Sequence, residues 1–312
     1  MQKKIIACAS LVLLTVSGSP RLAAASTNSL ADPLPSPVSL PEGSLSFPGE
    51  KIDTWHGYKR HQFMVDGCKA WVVEPAKPLP GKPWTWCLQF PEAFTSRTPV
   101  PGLLAAGYHH AHIDVGNTFG SPAAIRHFNA FYETLTRAGL ADKVVLVGLS
   151  RGGLYAYRWA SENPGKVSVI YGDAPVCDMK SWPAGKGKGK GSKPDWEAAI
   201  KSYGFKDEAE ALAYPSNPVD TLAPLAKAGV PLIHVVGDAD DIVPVPENTA
   251  IIEERYKKLG GTIEVIHKPG VGHHPHGMGD PKPVVDFILG HAAPADPSSQ
   301  NTTNTATPRN RP

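Results

Sequence analysis

Lys143–Leu149 (KVVLVGL) runs directly into Ser150-Arg151-Gly152-Gly153. An apolar, β-branched run of this kind is typical of a strand covered on both faces, as in parallel sheets. Gly148 and Gly152 stand two residues either side of Ser150. Their missing side chains make room for a turn in which the central residue is strained and held clear of the sheet. The segment therefore reads as strand, sharp turn and helix, with a serine hydroxyl at the apex and a helix N-terminus behind it that favours negative charge.

The rest of the chain fits this local pattern. Short strands are expected at His61–Val65, Lys69–Glu74, Trp84–Phe90, Gly107–Val115, Val167–Gly172, Pro231–Val236 and Thr262–His267. Helices are expected near Ala123–Arg137, Gly152–Glu162, Glu247–Leu259 and Pro283–Gly290. Strands spaced by helices of this length imply an α/β fold, with a mostly parallel central sheet and helices on both faces. An irregular stretch, about 174–224, follows one strand and reads as a short lid-like insert, because long inserts at strand carboxyl ends border the ligand crevice of such sheets.

Pro and Gly together make up about a fifth of the 312 residues (32 and 30). That is below the roughly 25–30% of low-complexity chains. At 41% apolar, the chain can build a core, and four cysteines exclude a disulfide-dense scaffold. The start reads as a secretory signal peptide, residues 1–25. Lys3 and Lys4 precede the 12-residue apolar stretch Ile5–Val16, and Ala23-Ala24-Ala25 offers a cleavage site. Residues 26–49 read as a Pro/Ser-rich linker, 50–291 as the catalytic domain and 292–312 as a polar, disordered tail.

Twelve apolar residues are too few to span a bilayer, so no membrane association is expected after the signal is removed. That removal takes away three cations and no acid, moving the formal net charge from +2 to −1. No charge excess then points to nucleic acid. The expected location is secreted or periplasmic. Of the remaining cysteines, Cys68 and Cys87 are the preferred disulfide pair, with three unpaired cysteines the alternative.

A serine hydroxyl needs a base, and the base needs an orienting acid. The strand PLIHVV runs into Gly237-Asp238-Ala239-Asp240-Asp241-Ile242-Val243-Pro244, and TIEVIHK runs into Pro269-Gly270-Val271-Gly272-His273-His274-Pro275-His276. Asp240 lies 90 residues beyond Ser150, and His273 33 beyond Asp240. Asp173, Asp238 and Asp241 compete for the acid role, and His274 and His276 for the base.

The three turns, in the order Ser, Asp, His at strand ends, resemble the α/β-hydrolase superfamily over about residues 60–290. The closer impression is of a secreted bacterial serine esterase. The resemblance implies Ser150 as nucleophile, Asp240 as acid and His273 as base. It also implies an oxyanion hole formed by the N–H of Arg151 and a second N–H from the Gln89-Phe90-Pro91-Glu92 loop. Pro91 has no N–H, which leaves Phe90 as the second donor. No metal or cofactor is called for.

His110-Ala111-His112-Ile113-Asp114 matches part of an H-x-H-x-D-H metal pattern, but position 115 is Val. Within the insert, Lys186 and Lys188 suggest an electropositive lid for an acidic substrate, and Trp182 a stacking surface for a sugar ring. His274 and His276 are further substrate-contact candidates.

The expected activity is hydrolysis of a small-molecule or polysaccharide ester through an acyl-enzyme. Two alternatives remain: a serine peptidase of prolyl-oligopeptidase type, whose usual propeller domain would not fit in this length, and a catalytically inactive binding module. The sequence leaves the acyl group, the alcohol and the oligomeric state open.

Overall fold

The structure is a computed structural model and describes residues 44–292. The proposed signal peptide, most of the linker and nearly all of the tail lie outside the described residues.

Nine strands form one sheet: β1 (Lys51–Trp55), β2 (Tyr58–Val65), β3 (Cys68–Val73), β4 (Trp84–Cys87), β5 (His109–Ile113), β6 (Val144–Leu149), β7 (Val167–Asp173), β8 (Leu232–Gly237) and β9 (Ile263–Lys268). Their order is β1-β2-β3-β5-β4-β6-β7-β8-β9. The first three form an antiparallel meander joined to β5. From β5 onward every pairing is parallel. The expected α/β architecture is therefore observed.

β6 lies inside the sheet, between β4 and β7, and all six of its residues are buried. Its apolar run is accounted for by cover on both faces. On one face Trp84 and Trp86 pack with Phe128, Phe131 and Trp159, the last three supplied by α2 (Pro122–Arg137) and α3 (Gly152–Glu162). On the other, Val145, Val147 and Leu149 share a core with Val284 and Ile288 of α8 (Lys282–His291).

Several features depart from the sequence expectations. The ordered core begins before position 50: Leu45 and Phe47 are buried, and Phe47 stacks on Phe63 at 3.9 Å. It also reaches Ala292, whose carbonyl accepts a hydrogen bond from the Tyr108 hydroxyl at 3.2 Å. β1 has no counterpart among the expected strands, because four of its five residues are exposed and carry no apolar alternation. α1 (Val100–Ala105) contains Pro101 and Gly102, which mask a helix in sequence.

The expected Cys68–Cys87 bridge does not form; both thiols are free, as is Cys177. β5 lies between β3 and β4, so two inter-strand spacings, about 9–10 Å in total, separate the strands carrying these cysteines. That exceeds the reach of a disulfide. The His110–His112 stretch lies in buried β5. His110 pairs with Thr85 at 2.7 Å and His112 with the Cys87 carbonyl at 2.7 Å, so both imidazoles have partners inside the sheet. Burial pushes His110 down to about 3.

The insert between β7 and β8 is not wholly irregular. It contains α4 (Lys193–Tyr203), α5 (Glu208–Leu212) and α6 (Ala223–Lys227). The Lys/Gly segment before α4 packs on the turn that follows β8: Lys190 N–H donates to the Asp241 carbonyl at 2.8 Å, and Lys188 N–H to the Glu247 carboxylate.

Among the described residues, no helix is long and apolar enough to cross a membrane. α7 (Thr249–Lys258) completes the helices.

Candidate active site

Ser150 stands at the carboxyl end of β6 with φ +51°, in the left-handed region that non-glycine residues seldom occupy. The turn is held by hydrogen bonds. Ser150 N–H donates to the Asp173 carbonyl at 2.8 Å, and its own carbonyl accepts from Val176 N–H at 2.9 Å and Gly153 N–H at 3.0 Å. Glycine at position 153 is required by space, since a Cβ there would come within 2.6 Å of the Val176 carbonyl oxygen. The strain expected from the sequence is present at the residue where it was expected.

The loops after β8 and β9 bring Asp240 and His273 to this serine. Ser150 Oγ lies 2.9 Å from His273 Nε2, and His273 Nδ1 lies 2.7 Å from Asp240 Oδ2. Asp240 and His273 are buried, whereas Ser150 is partly exposed. The other carboxylate oxygen of Asp240, Oδ1, accepts the N–H groups of Ile242 and Val243 at 2.9 and 2.8 Å. Both oxygens are thus engaged, and the acid is fixed in orientation. Gly237 lets the two loops meet: a Cβ at this position would lie 2.3 Å from the Val271 carbonyl oxygen.

The competing residues fall elsewhere. Asp241 pairs with Lys190, and Asp238 with His267 at 2.6 Å. Asp173 is completely buried and serves a second imidazole, with Oδ1 2.9 Å from His276 Nδ1. Its Oδ2 accepts from Gly277 N–H at 2.6 Å and from the Tyr171 hydroxyl. Asp173 and His276, each a competitor for a triad role, thus form a second acid–imidazole pair. Residues 103 apart give no sequence signal of pairing.

The N–H groups of Arg151 and Phe90 donate no hydrogen bond among the described residues. Phe90 has φ +59°, and its ring lies under the Arg151 guanidinium at 4.8 Å. The two segments are adjacent, because a Cβ on Gly152 would touch Gln89 Cβ at 3.5 Å. Asp195 of α4 reaches Arg151 at 3.4 Å, tying the insert to the elbow.

A cleft of about 750 Å³ opens from Gln89, Phe90 and Arg151 across the antiparallel strands, reaching Trp71, Lys51, Arg60 and Lys69. Ser150, Asp240 and His273 do not line it, nor do Trp182, Lys186 and Lys188; it meets the elbow at Arg151. Trp182 is partly buried against the core and packs near Phe119, with ring centres 6.2 Å apart. Lys186 is paired with Glu208 at 2.8 Å, in a separate depression beside Trp196. The lysine lid expected over the serine is instead largely neutralised, and its backbone is bonded to the acid's turn. Cationic groups do reach the cleft, from β1–β3 (Lys51, Arg60 and Lys69) and from Arg151.

A strained serine, an imidazole and a buried carboxylate in this relation, at the ends of three parallel strands, define an α/β-hydrolase. Residues 125–289, just over half of the chain, match the prolyl oligopeptidase family, and the chain belongs to that family of serine hydrolases.

No curated protein matches the chain. Solved structures similar to it include Porphyromonas gingivalis dipeptidyl peptidase 4, at 15% identity and TM-score 0.55 over 78% of this chain and 35% of that one. A Mycobacterium tuberculosis puromycin-hydrolyzing peptidase is similar at 14% identity and TM-score 0.56, over 74% and 38%. Est1E from Butyrivibrio proteoclasticus is similar at 14% identity and TM-score 0.50, over 79% of this chain and all of that one. The chain therefore spans little more than a third of the two peptidases.

Proposed function

We propose that this protein is an exported hydrolase that cleaves carboxylic esters through an acyl-enzyme. The observation that carries the catalytic reading is the continuous chain Ser150 Oγ, His273, Asp240, at 2.9 and 2.7 Å. In this reading His273 takes the hydroxyl proton as Ser150 attacks the carbonyl, and returns it to the leaving alcohol. Asp240 keeps the proton on Nδ1, so that Nε2 is free to act as base. The N–H groups of Arg151 and Phe90 receive the oxyanion, a contribution of about 3–4 kcal/mol per donor in comparable sites.

The ester assignment rests on the cleft. Its lining carries Lys51, Arg60, Lys69 and Arg151 against Glu92 and Asp114; Arg60 is paired with Asp53 and Arg151 with Asp195, which leaves Lys51 and Lys69 as the cations without an acid partner among the described residues. That balance favours a neutral or anionic substrate, such as an ester on an acidic polysaccharide, over the ammonium terminus of a peptide. Export rests on the signal-like residues 1–25.

Family membership favours a second reading, a serine peptidase. Turnover of p-nitrophenyl acetate against a panel of peptide anilides separates the two. The ester reading expects hydrolysis of the first and little of the second, and preferential anilide cleavage overturns it. Labelling by a fluorophosphonate probe that is lost in Ser150→Ala identifies the nucleophile. An unlabelled wild-type protein overturns the enzymatic reading in favour of a binding module.

A further inference from the structure

Three imidazoles converge at the turn that carries the base. The ring centres of His273, His274 and His276 lie 4.8–4.9 Å apart, each pair close to perpendicular. One nitrogen of each lies within 4.8 Å of the corresponding nitrogens of the other two. Two of the rings are backed by buried carboxylates: Asp240 holds Nδ1 of His273, and Asp173 holds Nδ1 of His276. A carboxylate on Nδ1 fixes the tautomer that leaves Nε2 as a lone pair, the outer-shell arrangement that metal-ligating histidines almost always have. His274 is exposed and stacks on Phe94, with ring centres 5.6 Å apart.

We propose that His273, His274 and His276 form a binding site for a transition-metal dication such as Zn²⁺, and that an ion bound there switches hydrolysis off. The donor chemistry suits the ion: imidazole nitrogen is a preferred ligand for zinc and copper, and three such ligands leave one position open. Tetrahedral coordination with bonds of about 2.0–2.1 Å brings ligand nitrogens to about 3.4 Å from each other. The imidazoles reach that spacing by closing about 1–1.5 Å, a small side-chain movement. The two carboxylates behind the rings offset the charge of the ion.

Coordination uses the Nε2 lone pair of His273, which otherwise accepts the Ser150 hydroxyl hydrogen. The metal–nitrogen bond replaces that hydrogen bond, and no electron transfer is involved. The inhibitory consequence rests on His273 being the base. The binding itself does not.

The test uses chelator-stripped, dialysed protein in a non-coordinating buffer at about pH 8, where imidazoles are neutral. Calorimetric titration of Ser150→Ala with zinc chloride measures binding without turnover. The expected result is one ion per chain with micromolar or tighter affinity. Cobalt should give the intense visible absorption of a tetrahedral site. His274→Ala changes an exposed side chain, so it should fold, and it should bind at least about 10–100-fold more weakly, a range seen even for outer-shell losses.

In wild type, zinc should abolish p-nitrophenyl acetate turnover, and chelator should restore it. Absence of stoichiometric binding at sub-millimolar zinc, or unchanged affinity in His274→Ala, overturns the site. Tight zinc binding in a protein that hydrolyses no ester supports the site and overturns the ester reading.

Discussion

Oδ1 of Asp173 accepts the Nδ1 hydrogen of His276 at 2.9 Å, and this pair lies beside the Asp240–His273 pair in the same turn. Two buried carboxylates thus each orient one of two neighbouring imidazoles, but only one of these imidazoles touches Ser150. Substitution of the acids separates their roles. Asp240→Asn should lower kcat/KM on p-nitrophenyl acetate by about 10³–10⁴-fold, since an amide no longer selects the required tautomer. Asp173→Asn should instead cost about 3 kcal/mol of stability, because it leaves a buried cluster with one partner missing, and reduce turnover less. The opposite ranking in steady-state kinetics would reassign the acid.

Gly237 is the point where the acid's strand passes the base's loop. Gly237→Ala places a methyl group 2.3 Å from the Val271 carbonyl oxygen and 2.4 Å from that of Gly272. The loop must move, and His273 moves with it. The expected outcome is a folded protein destabilised by about 1–3 kcal/mol, with kcat reduced at least about tenfold, since small misplacements of a catalytic group are costly. Normal kinetics together with a normal denaturation midpoint would show that the loop absorbs the methyl group elsewhere.

Phe47 tests where the domain begins. Its ring is buried on Phe63, so Phe47→Ala should cost about 3–5 kcal/mol in urea unfolding. A protein that starts at residue 50 should be destabilised in the same direction. If neither change moves the midpoint, residues 45–49 act as a linker after all.

His61 provides the pH dependence. Burial alone would lower its pKa, but hydrogen bonds to Glu74 at 2.5 Å and Glu50 at 2.6 Å outweigh burial and raise it. Glu74 is likewise opposed by burial, yet His61 and Lys59 hold it down to about 2. A raised histidine stabilises the fold below its unfolded value, about 6.5, and that contribution is lost as pH rises through the folded value. The depressed Glu74 stabilises above its unfolded value and loses the effect only as pH falls toward about 2. Melting temperature should therefore decline above about pH 6.5, and His61→Gln should flatten that decline. An identical slope in the variant counts against the cluster.

The parts legible in sequence are those where one local segment carries its own constraint. KVVLVGL reads as an interior strand because it is short, apolar and β-branched, and the glycines two residues either side of Ser150 mark the strained turn that follows it. Asp240 and His273 each follow such a strand, so chain order alone brings them to one end of the sheet. What stayed hidden depends on strand order and distance. β1 lacks apolar alternation because it is an exposed edge. Cys68 and Cys87 look adjacent along the chain, yet β5 inserts between their strands. The lysines of the insert look free until Glu208 and Asp241 are found opposite Lys186 and Lys190.

The triad and the cleft beside it lie on different lengths of the chain. The stretch matching the family, residues 125–289, contains Ser150, Asp240 and His273. The wall formed by Lys51, Arg60, Lys69 and Trp71 precedes it entirely. The proposed reacting groups and the cationic wall are therefore carried by separate lengths of chain. On the ester reading, exchanging the first three strands between relatives should change substrate preference while leaving Ser150, Asp240 and His273 in place.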